Sequence, residues 1–281
     1  MEQYRGEHAI GMMCRLLEVK RSTYYAWRSR AESRRAREDR RLLVEIALAH
    51  RASGGVYGSP RVHRELRAGG IRCGRKRVAR LMREHGIRAK QARRFRATTD
   101  SHHGKPVAAN LLDRRFEVAT PDRVWAADLT YIWTQQGWEY LATVLDLYSR
   151  RVVGWSMSAR IDQALTLGAL KAALWARKPA PGLLHHSDRG CQYVSLDYQA
   201  LLRQHGATCS MSRKGDCWDN AVVESFFKSL KAERVQHRRY RTREEARADV
   251  GDYIERFYNR SRLHSDLDYV SPVEYELKNV A

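Results

Sequence analysis

The sequence predicts an α/β fold: a mixed sheet with helices on its faces, preceded by small basic helical modules. Three observations predict it. Positive charge is crowded into residues 1–100, which hold 26 Lys and Arg against 10 Asp and Glu, whereas residues 101–281 hold 26 against 22. Apolar spacing in the first part is helical and is punctuated by Gly, Pro and Ser. From Pro121 onward, alternating stretches give way to an α-β-α-β-α order, the pattern of a sheet covered by helices.

Taken in order, Ile10–Leu17 has helical spacing, Glu18-Val19-Lys20 forms a turn, and RSTYYAWRSR follows with Ser22 as its expected N-cap. Helix, tight turn and basic second helix outline a helix-turn-helix-like segment over residues 1–50, although the turn lacks the usual Gly. Ala31–His50 reads as a connecting helix with Leu42, Leu43, Ile46 and Ala49 inward. A basic helical module is expected over residues 51–100. It opens with YGSPRVHRELRAGG, in which Ser59 suits an N-cap, Pro60 the first helical position and Gly69-Gly70 the stop. RKRVARLMREHG then turns Val78, Leu81 and Met82 inward. Arg75, Lys76, Arg77, Arg80 and Arg83 are left for a phosphate backbone, with an ordinary solvated basic helix as the competing reading. RAKQARRFRATTDSHHGKP is polar, and residues 101–120 are expected to form a linker.

The core is expected over residues 121–281. VWAADLTYIW alternates, with Trp125, Ala127, Leu129, Tyr131 and Trp133 on one face and Val124, Ala126, Asp128, Thr130 and Ile132 on the other. A turn carrying Gly137 leads to EYLATVLDLYS, and a turn at Ser149-Arg150 leads to RVVGWSMSA, completing a three-strand meander. Asp162 caps a helix that runs to Lys178. GLLHHSDRG supplies a short strand, SLDYQALLRQHG a helix stopped by Gly206, and ATCSMS a last strand; RKGDCWDN leads into the helix carrying Glu224. That ordering fits an RNase H-like fold. Further on, Tyr253, Phe257 and Tyr258 read as core, and SPVE at Ser271–Glu274 as a capping box.

Composition narrows the function classes. A net charge of +20, placed mostly on several short helical patterns, suits a nucleic-acid partner better than a membrane surface, which prefers a single amphipathic helix. No apolar run reaches membrane-span length. The N-terminal MEQYRGEHAIGMMCRLL is charged early and has no signal-peptide core, so a cytoplasmic location is expected. The five cysteines form no CxxC pair and read as reduced thiols.

Asp128, Asp188 and Glu224 stand out among the acids. Asp128 is mid-strand opposite the aromatics, Asp188 ends a strand, and Glu224 lies early on a helix. If the first and fourth strands are parallel neighbours, the two aspartates emerge side by side and the helix can bring Glu224 to them. Phosphodiester transfer explains such a gathering. Its charged transition state is served by two divalent cations about 3.5–4 Å apart. Mg²⁺ prefers oxygen ligands, and clustered carboxylates without a cation would repel one another or take up protons. Spacing alone is weak support; the local words are stronger.

VWAADLTYI, LLHHSDRGCQYVS, SMSRKGDCWDNAVVESFFKSLKAERV and YIERFYNRSRLHSDLDYVSPVEYE resemble the successive motifs of bacterial insertion-sequence transposases of the DDE, retroviral-integrase-like superfamily. The match is to the downstream-frame (orfB) type and covers nearly the whole chain. The resemblance implies Asp128, Asp188 and Glu224 as catalytic metal ligands, Mg²⁺ as cofactor (with Mn²⁺ able to substitute, and two ions in the site), and Lys231 as the family's basic residue seven positions after the Glu. It further implies cleavage of element ends and transfer of a 3′-OH to target DNA. The implied partners are terminal inverted repeats, target DNA, an upstream-frame product that is often fused by frameshifting, and a second copy of the chain. A nuclease of the same fold that cuts without joining, and a DNA-binding regulator, remain as alternatives.

Other residues have a bland and a sharp reading. Asp146 is a structural acid or a fourth carboxylate, and His185 and His186 are structural or act as bases. Trp218 packs its loop or stacks on a base. Asn259, Arg260, Arg262 and His264 either contact DNA or do not, and Lys228 is a less certain contact than Lys231.

Overall fold

A computed structural model of the chain describes residues 1–90, 108–213 and 217–279, without the side chains of Cys217 and Trp218. Helices α1 (Ile10–Leu16), α2 (Arg21–Ser29), α3 (Arg34–Ala52), α4 (Ser59–Ala68) and α5 (Arg75–Glu84) come first. Ser33 caps α3, its Oγ accepting from the Ala36 N–H at 3.1 Å. Ser22 and Ser59 do not cap: Lys20 and Gly58 hold those positions, and both serines fall inside the helices. Burial of Tyr24 and of Val62 and Leu66 fixes where these helices sit, and it outweighs a cap worth about 1 kcal/mol.

Helices α3, α4 and α5 bury Leu42, Ile46, Val62, Leu66, Val78, Leu81 and Met82 together, and Phe257 and Leu263 from the far end of the chain pack against them. The Tyr57 hydroxyl pins the same seam, donating to the Ser261 carbonyl at 2.9 Å and accepting from the Leu263 N–H at 3.0 Å. The basic module is therefore seated on the C-terminal segment. Part of the expected linker also belongs to the core. Leu112 is buried, Phe116 and Val118 pack beside it, and the Leu111 and Leu112 amides donate to Ser210 Oγ. Those apolar side chains are the reason the segment is not free. Residues 101–107 of the expected linker lie outside the described residues.

The sheet comprises β1 (Val124–Thr134), β2 (Gly137–Asp146), β3 (Val152–Ser158), β4 (Leu184–Ser187) and β5 (Thr208–Met211), in the order β3-β2-β1-β4-β5. The first three strands form the antiparallel meander; β4 runs parallel to β1, and β5 parallel to β4. With helices on both faces, this is the RNase H-like arrangement the element order predicted. One face packs Trp125 and Ala127 against α6 (Gln163–Arg177) and α7 (Leu196–Gln204). The other packs Ala126 and Ile132 against α8 (Ala221–Glu233), α9 (Arg243–Asp252) and the π-helical Tyr253–Tyr258 that continues it. The alternation of β1 is what separates the two layers. Asp162 caps α6 as expected, with its Oδ1 accepting from the Leu165 N–H at 3.0 Å. Gly154 lets α6 cross β3 closely, since a Cβ there would collide with the Ala169 carbonyl. A last helix, α10 (Pro272–Asn279), begins with the predicted cap, the Ser271 Oγ accepting from the Glu274 N–H at 3.2 Å.

Candidate active site

Parallel pairing of β1 with β4 ends at Ala127 opposite Ser187, so Asp128 and Asp188 leave adjacent strands side by side. Asp128 Oδ1 accepts from its neighbour Leu129 N–H at 2.7 Å, and Asp188 Oδ1 accepts from the Gly190 N–H at 2.9 Å. Both are half-buried. The ground beneath them is rigid. His186 lies between Ser210 Oγ at 2.9 Å and Ser212 Oγ at 3.1 Å, and His185 meets the Tyr198 hydroxyl at 3.0 Å. Burial pulls His185 down to about 3 and His186 down to about 4, so both anchor β4 as neutral rings.

Glu224 comes from the first turn of α8. Val223, Phe226 and Leu230 are buried against the sheet, each contributing about 1.5–3 kcal/mol, while Glu224 and Lys228 remain exposed. The start of α8 is tied directly to β1, because Asn220 Nδ2 donates to the Ala127 carbonyl, one residue before Asp128, at 3.2 Å. Beside it, buried Asp219 accepts from Asn110 Nδ2 at 2.9 Å, Arg114 Nε at 3.0 Å and the Arg213 N–H at 2.8 Å. Burial opposes its charge, yet these bonds hold its carboxyl well below the ordinary range. Sequence reading passed over both residues; the only signal was an acid-amide pair directly before an apolar helix.

Electrostatically the three acids form one group. Burial first, then Asp188 and more weakly Glu224, hold the Asp128 carboxyl well above the ordinary carboxylate range, against the Leu129 N–H and Lys231. Burial also raises Glu224. The Lys231 ammonium lies 4.5 Å from the centre of the Tyr131 ring and is close enough to Asp128 for each to affect the other; burial lowers its pKa. Among the described residues no set of three His, Cys, Asp or Glu side chains is drawn together tightly enough to enclose an ion as it stands. Asp188 acts on Asp128 more strongly than the exposed Glu224 does. Tyr193, also missed from sequence, is buried within the field of both aspartates, and its hydroxyl has no hydrogen-bond partner among the described residues.

The other singled-out residues fall in different surroundings. Arg262 is buried and its guanidinium is held by Glu233 at 2.7–3.1 Å, so it does not face solvent. Asn259 is buried and bonds the backbone of Val152 from both ends of its amide. His264 is pulled down to about 2 by burial and packs on Tyr258. Of that group Arg260 remains on the surface. On α5, Arg75, Lys76 and Arg83 are exposed, but Arg77 and Arg80 are half-buried and paired with Asp39 of α3 at 2.5 and 2.6 Å. Asp146 accepts from the Asp122 and Tyr148 amides, both at 2.9 Å, which is the structural role. The Trp218 side chain lies outside the described residues.

Family models match the same layout. An integrase core domain matches residues 119–217, a second integrase core model matches 224–280, and an HTH-like domain matches 36–95. An uncharacterized 31 kDa protein of insertion element IS600 from Shigella sonnei is 47% identical over 266 residues, covering 95% of this chain and 98% of that protein. The transposase InsF for insertion sequence IS3A from Escherichia coli (strain K12) is 45% identical over 283 residues, covering 100% and 98%. Among solved structures, a simian T-cell lymphotropic virus intasome aligns with TM-score 0.45 and 12% identity over 82% of this chain and 74% of that one. The HTLV-2 integrase catalytic core with magnesium aligns with TM-score 0.44 and 15% identity over 56% and 97%. No helix among the described residues is long and apolar enough to cross a membrane. With relatives this similar along the whole of their length, the chain belongs to the family of insertion-sequence transposases that includes InsF of IS3.

Proposed function

We propose that this transposase cuts the ends of its element and joins the freed 3′-OH to target DNA, using Asp128, Asp188 and Glu224 to hold divalent metal. The observation that carries the reading is the side-by-side exit of Asp128 and Asp188 from parallel β1 and β4, with α8 tied to the same point by Asn220. The donors fit a hard cation such as Mg²⁺, with Mn²⁺ as a substitute. They are all carboxylates, and burial together with their mutual repulsion already raises Asp128, a penalty a cation offsets. When bound, divalent metal activates the attacking oxygen and stabilises the leaving one, and two ions suit in-line displacement.

The chain's own residues have separate tasks. Asp128 and Asp188 form the fixed half of the site, because their strands are locked into the sheet. Glu224 closes the third side by side-chain rotation, which accounts for its exposure. Lys231, resting on Tyr131 beside Asp128, orients a phosphate next to the scissile bond, and Lys228 is a second contact on the same face. Arg75, Lys76, Arg83 and Arg260 hold DNA backbone from outside the site; Arg77 and Arg80 contribute less because Asp39, with Glu38 and Glu84, pairs with them. Pairing two element ends calls for at least two copies of the chain, and an upstream-frame product supplies further end recognition. A strand-transfer assay on a labelled element end tests the proposal. Joined product is expected. A cut but unjoined end would make the chain a nuclease, and binding alone would make it a regulator.

A further inference from the structure

A cavity of about 390 Å³ opens beside α8, away from the carboxylates. Its α8 wall is formed by Ala221, Val222, Ser225, Phe226 and Ser229. At 3.6 residues per turn all but Ala221, about 60° away, lie at least about 100° round the helix from Glu224. The remaining wall is strongly basic: Arg61 comes from α4, Arg150 from the β2–β3 turn, and Arg262 from the segment after the π-helical stretch, with Asp266 the carboxylate in the lining. These cations are not equally satisfied. Arg262 is bound to Glu233, whereas Arg61 reaches that carboxylate only at 4.0 Å. Arg150 is half-buried in the lining, and its Nη1 is buried with no hydrogen-bond partner among the described residues. Burial lowers its pKa, and the attraction of Asp266 does not compensate. His264, neutral at ordinary pH, adds no charge.

A buried guanidinium N–H left unbonded is costly, and its fork geometry matches phosphate oxygens. We infer that this cavity is a phosphate-binding site, separate from the carboxylate site, in which Arg61 and Arg150, reaching it from different elements, grip one phosphate and Ser225 and Ser229 donate to it. The phosphate is either a phosphodiester of bound DNA or free phosphate; that its source is DNA rests on the proposed function, whereas the site itself does not. Because Arg61 belongs to the basic helical module and Arg150 to the sheet, a bound phosphate clamps one to the other.

The test is thermal unfolding of the full chain without divalent metal, with inorganic phosphate titrated against chloride at matched ionic strength. The wild type is expected to show a saturable rise in Tm. Arg150→Met should start at the same or a higher Tm, since it removes an unbonded buried guanidinium, and should lose the phosphate-dependent rise. Arg61→Met, on α4, should lose it as well. In a second arm, both variants are titrated with a short duplex DNA. If the phosphate comes from DNA, binding weakens several-fold and the log–log salt slope becomes shallower by about one. If duplex binding is unchanged while the phosphate effect is lost, the site takes free phosphate. No phosphate-dependent rise in the wild type together with unchanged duplex binding by the variants overturns the inference, as does an Arg150→Met protein that keeps the full rise.

Discussion

Asp122, Asp146 and Glu276 gather round Arg177, whose guanidinium lies 2.9, 3.6 and 2.9 Å from them. Asp128 and Asp188 stand where the pairing of β1 with β4 ends, with Glu224 within their electrostatic reach, and there burial and like charge at Asp128 outweigh the help of Lys231. In the first cluster burial works against the charges, but hydrogen bonds from Arg177 and Ser149 still bring Glu276 below the ordinary range. Asp146 differs, pushed up to about 6 by burial. In the second cluster burial and like charge act in the same direction. Two acid clusters on one sheet thus differ in where their compensating charge comes from. One carries its cation as a side chain and is structural; in the other, burial and like charge leave Asp128 raised despite Lys231, the condition that favours a bound cation.

The largest expected effect separates the clusters by activity. Asp128→Asn, Asp188→Asn or Glu224→Gln should each lower cleavage and joining by more than about a hundredfold, as loss of a group that stabilises transition-state charge does, with DNA binding largely kept in gel shifts. Retained joining by one variant removes that residue from the site. The sign for stability is opposite to that for activity. A carboxyl whose folded pKa is raised loses stability as pH climbs from its unfolded value through its folded one, so metal-free Asp128→Asn at neutral pH should melt no lower than wild type.

Arg177→Met should do the reverse. Removing one partner from a buried pair costs about 3–5 kcal/mol, seen as a lower denaturation midpoint, while activity per folded molecule holds. If joining falls further than the folded fraction, the two clusters are not independent.

Divalent metal gives the third contrast. Mg²⁺ or Mn²⁺ at a hundred times its Kd should stabilise the wild type by about 2.7 kcal/mol, and Asp128→Asn should abolish the shift that Arg177→Met retains. Binding requires the carboxylates ionised, so affinity should rise with pH through the raised range of Asp128 and Glu224. A pH-independent affinity, measured by calorimetry, would count against these ligands.

The smaller effects sharpen the boundary of the second cluster. Lys231→Ala should weaken joining by about tenfold, the order of one charge-assisted hydrogen bond, with Lys231→Arg partly active and both melting near wild type. Full joining by Lys231→Ala returns that face of α8 to ordinary solvated surface. Tyr193→Phe should change thermal stability little, because its hydroxyl has no partner among the described residues. A clear drop in Mg²⁺ affinity for this variant would show the hydroxyl bonding to the loaded site.

Much of this contrast was legible in the residues. Alternation in β1 put Asp128 opposite the aromatics, and the short apolar run before Asp188 gave β4. The apolar spacing of α8 left Glu224 outward. What sequence hid were partners far along the chain. NRSRLHS reads as a basic surface run until Glu233 arrives to bury Arg262. Arg77 and Arg80 look available until α3 presents Asp39. Leu112, Phe116 and Val118 look like linker until the sheet offers them a face. Local pattern shows which side of an element is apolar; it does not show which charge will meet which.

The seam between Tyr57, Phe257 and Leu263 also has a consequence in time. The basic helical module leaves the ribosome about 170 residues before Phe257 does, and at roughly 5–20 residues per second that is an interval on the order of ten to thirty seconds. Throughout it, the apolar edge of α4 and the Tyr57 hydroxyl await neighbours that have not yet been translated. The nascent chain therefore displays its basic helices before it has the last carboxylate, the helix that carries it, or the seat on which those helices finally rest. A pulse-labelled chain arrested ahead of Phe257 should be cut by protease within this module, and one released at full length should not.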